Sequence, residues 1–472
     1  MYVKQLYTNC LAHAAYYIES DKEAVVIDPL RNPEPYLELA KERGAKIKYI
    51  LETHFHADFV SGHIDLANAT GAAIVFGPNA MPEYKAYIAS DHEVLRVGNS
   101  EIEVLHTPGH TIESTCFLFS DKNSDSRYLF TGDTLFVGDV GRPDLLSGNL
   151  PKETLAAMMY DFLQSQIKTL PDETIVYPGH GAGSACGKNI GSSSFSTIGG
   201  ERSTNYALLI EDKDQFIKAV TADLPIAPGY FFKDAVLNKK GTELYHSVLK
   251  MSLTPLSLSK FNSLRRPGTV VLDTRDPLAF AAGFIEGALN IGLNGDFAVW
   301  AGLFISPEAP ILLIVDPGKE KEAIERLARI GFDNVLGYLN GGMDTWFTQK
   351  YKYEHILTVS GADMSKLAIN FNYDLLDVRN RLEVSRDHIS GSTHIPLNEL
   401  KGRIAGLDKN NSWLIYCAGG YRSMIAASFL LANGFRFVAA WKAVSMPSGK
   451  RSRKSLKQLK KRTRHDANSA ND

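Results

Sequence analysis

The amino-acid sequence predicts a multidomain α/β protein whose second half contains parallel sheets. At 472 residues the chain is long enough for two to four domains. In the second half, apolar strand-like runs alternate with helix-like segments, which is typical of parallel α/β folds. The same half also contains an internal repeat, so two of the domains should share one architecture.

The composition is that of an ordinary globular protein, with 44% hydrophobic residues, 22% charged residues and a formal net charge of −2. No apolar run reaches the 18 residues that a membrane span needs. The N-terminal stretch from Met1 to Leu6 leads directly into a strand, so no signal peptide is expected. Four cysteines in so long a chain do not make a disulfide framework, and a reducing cytoplasm is the expected location.

A His-x-His-x-Asp motif follows the apolar run from Ile47 to Leu51. It comprises His54, His56 and Asp58, and such side chains are ligands for first-row transition metals. In most metal hydrolases with this motif a further histidine follows the aspartate and helps to hold a second metal. Here that position is Phe59, which cannot bind a metal. The motif therefore favours one metal ion rather than a bridged pair.

Three further segments each place a possible ligand in a glycine-containing turn after a strand-like run. These ligands are His110, Asp133 and His180. A single loop histidine is more often a surface residue, but four such segments in this order predict a metal site at the strand ends, where active-site loops lie.

Residues 1 to about 210 resemble the metallo-β-lactamase fold, an αββα sandwich, and are most similar to the persulfide dioxygenases and the related glyoxalase II hydrolases. The dioxygenase resemblance implies one Fe(II) per chain, held by His54, His110 and Asp133. The residue types agree, because two histidines and one carboxylate with open positions form the usual ligand set of mononuclear iron oxygenases.

The same resemblance implies supporting roles for other residues. His56, Asp58 and His180 would orient ligands, water or substrate. Arg142 is a candidate contact for anionic parts of the substrate, or else a surface arginine that closes a turn. Cys186, in a glycine-rich loop after His180, is a candidate relay or sensor of sulfane sulfur, or else an exposed bystander.

The internal repeat begins where Val271–Arg275 recurs as Leu375–Arg379, at an offset of 104 residues. Leu312–Asp316 aligns with Trp413–Cys417 at an offset of 101 residues. The pattern resembles two rhodanese (sulfurtransferase) domains in tandem, over residues 258–350 and 362–441.

Cys417 opens a glycine-rich turn between a strand and a helix. Backbone N–H groups and the helix dipole at such a position stabilise a thiolate or a persulfide. The loop matches the active loop of the rhodanese family, with Cys417 and Arg422 as catalytic residues. The residues that would cradle the persulfide are Ala418, Gly419, Gly420, Tyr421 and Ser423. The first copy has Asp316 in place of the thiol and is predicted to be inactive, with a structural role.

The segment 442–472 carries ten Lys and Arg residues and two Asp residues, and it departs from the rhodanese pattern. We expect a basic, solvated and disordered tail. The predicted organisation is therefore a metallo-β-lactamase-like domain over 1–245, an inactive rhodanese-like domain over 258–350, an active rhodanese domain over 362–441 and the tail over 442–472.

As a whole the chain resembles the CstB-like fusions of a persulfide dioxygenase with rhodanese domains. The implied partners are a low-molecular-weight thiol persulfide, O2, and sulfite or thiosulfate, in either direction of sulfur flow. No membrane or nucleic-acid partner is expected. The chain is expected to form a homo-oligomer, either a dimer or a tetramer. Two alternatives remain open, namely a glyoxalase II-like thioester hydrolase with a rhodanese domain, and a sulfur sensor or scaffold without turnover.

Overall fold

The computed structural model describes residues 1–121, 125–145, 150–224, 227–359 and 373–441. The chain forms two compact units. The first comprises Met1–Lys250 and Ile324–Asp333, and the second comprises Met251–Ala323 and the described residues from Asn334 onward. The predicted tail over 442–472 lies outside the described residues.

The first unit contains a six-stranded sheet in the order β1-β2-β3-β4-β5-β6. The first three strands pair antiparallel, and the later pairs are parallel. The strands are β1 (Tyr2–Thr8), β2 (His13–Ser20), β3 (Glu23–Ile27), β4 (Lys46–Leu51), β5 (Ala73–Phe76) and β6 (Tyr87–Ile88).

A second six-stranded sheet has the order β14-β13-β10-β9-β8-β7, and only its β10–β13 pair is parallel. A short hairpin, β11 (Leu135–Phe136) and β12 (Asp139–Val140), follows β10. The strands of the sheet are β7 (Val94–Val97), β8 (Ser100–His106), β9 (Thr115–Asp121), β10 (Arg127–Gly132), β13 (Ile175–Pro178) and β14 (Ser196–Thr197).

Three buried clusters show how these elements are layered. Side chains alternate across a strand, so in β2 Tyr16 and Ile18 pack between the two sheets. Their neighbour Tyr17 faces the other way, among residues of the first helix layer. A third cluster joins the outer face of the second sheet to helix residues such as Met159. The predicted αββα sandwich is confirmed. The helices of this unit are α1 (Glu34–Arg43), α2 (His63–Thr70), α3 (Lys152–Ser165), α4 (Ile198–Thr204), α5 (Tyr206–Leu209), α6 (Lys213–Thr221), α7 (Phe231–Lys240) and α8 (Tyr245–Ser252).

The second unit contains two five-stranded sheets in which every pair is parallel. The first has the order β15-β19-β18-β16-β17, and the second has the order β20-β24-β23-β21-β22. Numbered along each copy, both orders are the same, so the predicted repeat of parallel α/β domains is confirmed. The strands are β15 (Pro255–Leu256), β16 (Val270–Asp273), β17 (Leu289–Asn290), β18 (Ile311–Ile314), β19 (Val335–Leu339), β20 (Leu357–Val359), β21 (Asp374–Asp377), β22 (Thr393–His394), β23 (Ser412–Tyr416) and β24 (Phe437–Trp441).

The helices around these sheets have clear sequence signals. For example, Asn380 and Glu383 form a reciprocal capping box at the start of one of them. Two helices span a boundary between the units, since α8 starts before Lys250 and ends after it, and α12 starts before Ile324 and ends after it. The helices are α9 (Leu258–Leu264), α10 (Pro277–Ala282), α11 (Phe297–Phe304), α12 (Glu320–Ala328), α13 (Gly342–Thr348), α14 (Arg381–Arg386), α15 (Leu397–Arg403) and α16 (Tyr421–Ala432). Among the described residues, no helix is both long enough and apolar enough to cross a bilayer.

The domain boundaries drawn from the sequence remain predictions. The first compact unit runs to Lys250 and also takes in Ile324–Asp333, which lies inside the range predicted for the middle domain.

Candidate metal centre and cysteine loop

The three predicted iron ligands lie together in the first unit. His54 follows β4, His110 follows β8, and Asp133 follows β10. Asp133 Oδ2 is 3.5 Å from His110 Nε2 and 4.0 Å from His54 Nε2, and all three side chains are buried. The ligand atoms lie within 4.8 Å of one another, which is close enough for one ion to contact all of them.

Hydrogen bonds fix which nitrogen of each histidine can bind a metal. His110 Nδ1 lies 2.8 Å from the carbonyl oxygen of Arg142, which can only accept, so this nitrogen carries the proton. His54 Nδ1 lies 2.9 Å from Thr53 Oγ1, and that hydroxyl donates to Asp28 Oδ2 at 2.8 Å. His54 Nδ1 is therefore also a donor, and both histidines keep the Nε2 lone pair free.

The electrostatics of this group suit a cation. Burial, followed by the neighbouring histidines, lowers the pKa of His54 well below its usual value. Burial also lowers the pKa of His110, so both rings are neutral. Neither oxygen of Asp133 has a hydrogen-bond partner, although a buried carboxylate needs compensation. Two neutral imidazoles and one uncompensated carboxylate fit a divalent transition metal.

His56 faces a different acidic pair. Its Nε2 is 3.1 Å from Asp28 Oδ1 and 3.7 Å from Glu52 Oε2. Burial lowers the pKa of His56, but Asp28 and Glu52 outweigh this effect and raise it to about 9. The contact between His56 and Asp28 helps to hold the loop that carries His54. The sequence alone did not indicate that Asp28 and Thr53 support the ligand group. The signal for Asp28 was its position directly after the apolar strand β3.

A second group of potential ligands lies beside the first. It comprises Asp58, His180 and Cys186, all of them buried. His180 Nε2 is 3.4 Å from Asp58 Oδ2 and 3.5 Å from Asp133 Oδ1, so the Asp133 carboxylate lies between the two groups. Phe59 is fully buried and packs on His13, with ring centroids 4.2 Å apart.

The glycine-rich sequence around Cys186 left open the possibility that this residue is exposed, but the structure shows that it is buried. It is only 1% exposed, and burial, then Asp58 and Asp133, raise the pKa of its thiol well above the usual value. The sequence had no signal for this burial, because the contact partners are distant along the chain.

Arg142 is buried and its charge is already paired. Its Nε and Nη2 donate to Asp144 at 2.7 and 2.8 Å, and its Nη1 donates to the carbonyl oxygen of Ala185. Burial alone would raise the pKa of Asp144, but Arg142 lowers it. Arg142 thus joins two loops and, through its own carbonyl group, orients His110. A substrate contact for its guanidinium stays a prediction.

In the second unit Cys417 lies between β23 and α16, as predicted. Its Sγ accepts the N–H groups of Gly420 at 3.1 Å and Ser423 at 3.3 Å, and the residue is 1% exposed. Gly420 has a φ of 87°, which favours glycine at this turn. The sulfur therefore faces N–H donors at a helix N-terminus, which stabilise negative charge on it.

The first rhodanese-like copy contacts this loop within the second unit. Tyr421 Oη donates to the carbonyl oxygen of Gly292 at 2.8 Å, and a Cβ added at Gly295 would lie 2.7 Å from the Tyr421 ring. Farther along α16, Ser428 Oγ accepts the N–H of Asn290. The loop after β18 has Asp316 where the other copy has its cysteine.

Arg422 pairs with a residue that sequence analysis missed. Its two terminal nitrogens donate to the two carboxylate oxygens of Glu383, each at 2.7 Å. The capping-box spacing of Asn380 and Glu383 was visible in the sequence, but it indicated a helix start and not a partner for the loop.

Two family models match the chain. The model of the metallo-beta-lactamase superfamily matches residues 8–180. The model of the rhodanese-like domain matches twice, over residues 258–349 and 361–443. The matches cover the αββα sandwich and the two parallel-sheet modules.

Among curated proteins, a probable hydroxyacylglutathione hydrolase of Schizosaccharomyces pombe is 35% identical over 172 residues, which span 35% of this chain and 62% of that protein. A hydroxyacylglutathione hydrolase of Pelagibacter ubique is 32% identical over 178 residues, which span 36% of this chain and 68% of that protein. The chain thus spans somewhat over three fifths of the length of these relatives.

A solved structure extends the similarity beyond the first domain. A metallo-beta-lactamase from Staphylococcus aureus is 34% identical with a TM-score of 0.65, and the match covers 72% of this chain and 99% of that one. The fold and the buried histidine–aspartate group define a metal-dependent αββα protein that continues into rhodanese-like domains. The chain belongs to the metallo-β-lactamase superfamily.

Proposed function

We propose that this protein is an iron-dependent persulfide dioxygenase joined to a sulfurtransferase. The observation that carries the proposal is the buried His54–His110–Asp133 group, with two neutral imidazoles and one carboxylate, in the same chain as the Cys417 loop. Two histidines and one carboxylate with open positions suit mononuclear Fe(II) that reacts with O2.

The first reaction would convert a thiol persulfide, O2 and water into the free thiol, sulfite and two protons. One Fe(II) per chain, held by His54, His110 and Asp133, would supply the O2 chemistry. The protein orients these ligands through Thr53 and through the Arg142 carbonyl group. The buried setting keeps bulk water away from the reacting sulfur.

The second reaction would transfer sulfur through Cys417. The Cys417 thiolate attacks the outer sulfur of a persulfide, the S–S bond breaks, and the carrier leaves as a thiolate. The N–H groups of Gly420 and Ser423 hold the negative charge on the loop. Sulfite then attacks the terminal sulfur through its own lone pair, and thiosulfate leaves as the Cys417 thiolate is restored.

The proposal requires a low-molecular-weight thiol persulfide, O2, and sulfite or thiosulfate as partners. The reverse direction is chemically allowed, with thiosulfate loading Cys417 and a thiol removing the sulfur as a persulfide. Four free cysteines fit a reducing compartment, and the cytoplasm is the proposed setting. A dimer or tetramer belongs to the same proposal.

The test is oxygen consumption by the Fe(II)-loaded protein supplied with a small persulfide, with sulfite and thiosulfate measured together. We expect oxygen uptake that ends in thiosulfate. Cys417→Ser should keep the uptake and release sulfite instead, while the control Cys10→Ser should behave as the unmodified protein does. No uptake by protein with verified iron would overturn the dioxygenase proposal.

A second candidate function is thioester hydrolysis at a two-metal centre. The observation that favours it is the second ligand group, because Cys186 supplies a ligand where Phe59 cannot. The His180 Nε2 distances of 3.4 and 3.5 Å to Asp58 and Asp133 suit ligands of a tetrahedral zinc ion. Two similar proteins are named hydroxyacylglutathione hydrolases.

Metal stoichiometry separates the two functions. The hydrolase requires two zinc ions per chain and hydrolysis of a hydroxyacyl thioester of glutathione, and Cys186→Ser should reduce both. The dioxygenase requires one iron, and Cys186→Ser should leave the iron content unchanged. Thioester hydrolysis without oxygen uptake would assign the metal centre to the hydrolases.

A further inference from the structure

Within the part of the chain that the structure describes, the positive charge of Arg422, at the end of the proposed sulfur-transfer loop, is already neutralised. Arg422 and Glu383 form a bidentate pair in which both N–O distances are 2.7 Å. Both side chains are mostly shielded, since 22% of Arg422 and 28% of Glu383 is exposed. Bidentate pairs between guanidinium and carboxylate groups are among the stronger and more specific polar contacts in proteins.

Glu383 is also fixed from its other side. Its Oε2 accepts the N–H of Asn380 at 3.0 Å, while Asn380 Oδ1 accepts the N–H of Glu383 at 2.8 Å. This capping box holds the carboxylate at the start of α14, so its position does not depend on Arg422 alone.

A second guanidinium group among the described residues, that of Arg379, also acts electrostatically on this pair. It too is occupied, because its Nε and Nη2 donate to Asp377 at 2.9 and 2.6 Å. Two arginines next to the loop are thus matched by two carboxylates. A site built mainly to hold a small divalent anion would leave a guanidinium group unpaired.

A comparison with the inactive copy shows which of these two ion pairs belongs to the common fold. At the offset of 104 residues, Arg275 and Asp273 repeat the Arg379–Asp377 pair, with the same 2.6 Å contact. The position of Glu383 is Ala279 in that copy. The pair between Asp and Arg therefore belongs to the fold, whereas Glu383 occurs only in the copy that carries the cysteine.

We propose that Glu383 is a specificity-determining residue of the Cys417 site, which weakens the binding of small divalent sulfur oxyanions such as sulfite and thiosulfate. The inference rests on the sulfur transfer at Cys417 proposed above. Such an anion must displace Glu383 from Arg422 or share the charge with it. The sulfur of an organic persulfide needs only the N–H groups of the loop, so its binding does not depend on this pair.

The test is Glu383→Gln, which keeps the capping box because glutamine also accepts the Asn380 N–H. The full-length variant is assayed with thiosulfate as donor and cyanide as acceptor, and with a small persulfide as donor and sulfite as acceptor. We expect the KM values for thiosulfate and for sulfite to fall roughly three- to fivefold, the size expected when one partly exposed ion pair is lost. The KM for the persulfide and both kcat values should change little.

Two controls isolate the contact. Glu399→Gln removes the same charge from the same domain, but Glu399 pairs with Arg381 and Arg403 and not with the loop, so neither oxyanion KM should change. In a protein that already carries Arg422→Gln, Glu383→Gln should have no further effect on oxyanion binding. The guanidinium group for which Glu383 and the oxyanion compete is then absent.

The two proposals fail in different ways. If the unmodified protein gains no sulfur atom on Cys417 by mass spectrometry with either donor, the sulfur-transfer proposal fails. If Cys417 is loaded but Glu383→Gln leaves both oxyanion KM values unchanged, only the role of Glu383 is overturned. An equal change in the KM of the persulfide would also overturn it, since the residue would then not discriminate between substrate classes.

Discussion

Asp133 is the residue at which the two candidate ligand groups of the first unit meet. Its Oδ2 is 3.5 Å from His110 Nε2, and its Oδ1 is 3.5 Å from His180 Nε2. Replacement of Asp133 would disturb both groups and could not tell one metal ion from two. Substitution of a residue that contacts only one ligand group, such as Thr53, is a better test of whether that group binds a metal.

Thr53→Val should lower the metal affinity of the first ligand group. Valine has nearly the same shape but cannot accept the proton of His54 Nδ1 or donate to Asp28. Loss of such an outer contact usually costs about 10- to 100-fold in metal affinity. Competition against a chelator of known affinity measures the change.

The control for Thr53→Val is Thr107→Val, which removes an equally buried hydroxyl that pairs with Thr134 and touches neither histidine ligand. Equal losses of metal affinity in the two variants would show that buried threonine hydroxyls matter in general, and not through His54.

At the scale of elements, helix α7 places a carboxyl group in the core without a partner. Asp234 is fully buried, and neither of its oxygens has a hydrogen bond. Burial raises its pKa well above the usual value. A Cβ at Gly331 would lie 2.6 Å from Asp234 Oδ1, so the group is also closely packed. Asp234 therefore lowers the free energy of unfolding, and the size of this effect should depend on pH.

Asp234→Asn should become more stabilising as pH rises from 5 to 8. The carboxyl group stays protonated in the folded state, but it ionises in the unfolded state above its usual pKa. The unmodified protein therefore loses about 1.4 kcal/mol of unfolding free energy per pH unit while that difference lasts. Asparagine cannot ionise and escapes this loss. Urea unfolding at several pH values measures the difference between the two proteins.

The control is Asp212→Asn, which removes an exposed carboxylate of the same unit and keeps the cap of α6. A difference between Asp234→Asn and the unmodified protein that stays constant with pH would show that Asp234 is ionised in the folded state.

The end of helix α12 and the residues after it are held to the first unit by Arg31. This residue is fully buried and donates to both oxygens of Asp333, at 2.5 and 2.8 Å. It also donates to the carbonyl oxygens of Ala328 and Glu243. One guanidinium group thus joins segments that are about 300 residues apart in the chain.

Arg31→Met should destabilise the first unit by about 2–4 kcal/mol, because it leaves acceptors of a charged donor unpaired. Hydrogen exchange of residues 324–333 should become faster. Arg43→Met is the matched control, since Arg43 forms a more exposed pair with Glu19 and its loss should destabilise the protein much less. Unchanged exchange in residues 324–333 would show that other contacts hold this segment.

At the scale of the whole molecule, metal removal should act on one compact unit and not on the other. Both candidate ligand groups lie in the first unit, and the cysteine loop lies in the second. Metal that binds only the folded state stabilises it by about 4 kcal/mol at a thousandfold excess over Kd.

Calorimetry with and without a strong chelator checks this expectation. We expect one transition to move to lower temperature and the other to stay in place, and the same result for Cys417→Ser. Two transitions that shift together would show that the units unfold cooperatively and that bound metal stabilises both of them.

Much of the fold was predictable because its signals are local. Apolar runs followed by glycine turns marked the strand ends at His54, His110 and Asp133, and ligand-type side chains there indicated the metal group. The repeat was visible because β16 and β21 keep the same Val/Leu-Leu-Asp-x-Arg pattern. Each such signal needs only a few neighbouring residues.

Other features could not be predicted because they depend on distant partners. Cys186 lies in a glycine-rich loop, and nothing near it in sequence indicates that it is buried beside Asp58 and His180. The pair of Arg422 with Glu383 joins two helices, α16 and α14, between which β22, α15 and β23 lie along the chain. A guanidinium group in a loop can face solvent, substrate or a carboxylate, and the sequence does not distinguish these cases.

By itself the sequence predicted the repeated parallel domains, a metal site at the strand ends and the position of Cys417, while the resemblance to a known family implied the αββα sandwich and the ligand set of His54, His110 and Asp133. Hydrophobic periodicity and turn chemistry are properties of short segments, so they can be read without coordinates. Only the tertiary structure decided the tautomers of His54 and His110, the second ligand group around Asp133, and the neutralised charge on Arg422. These depend on distances between side chains far apart in the chain, which packing sets and local pattern does not.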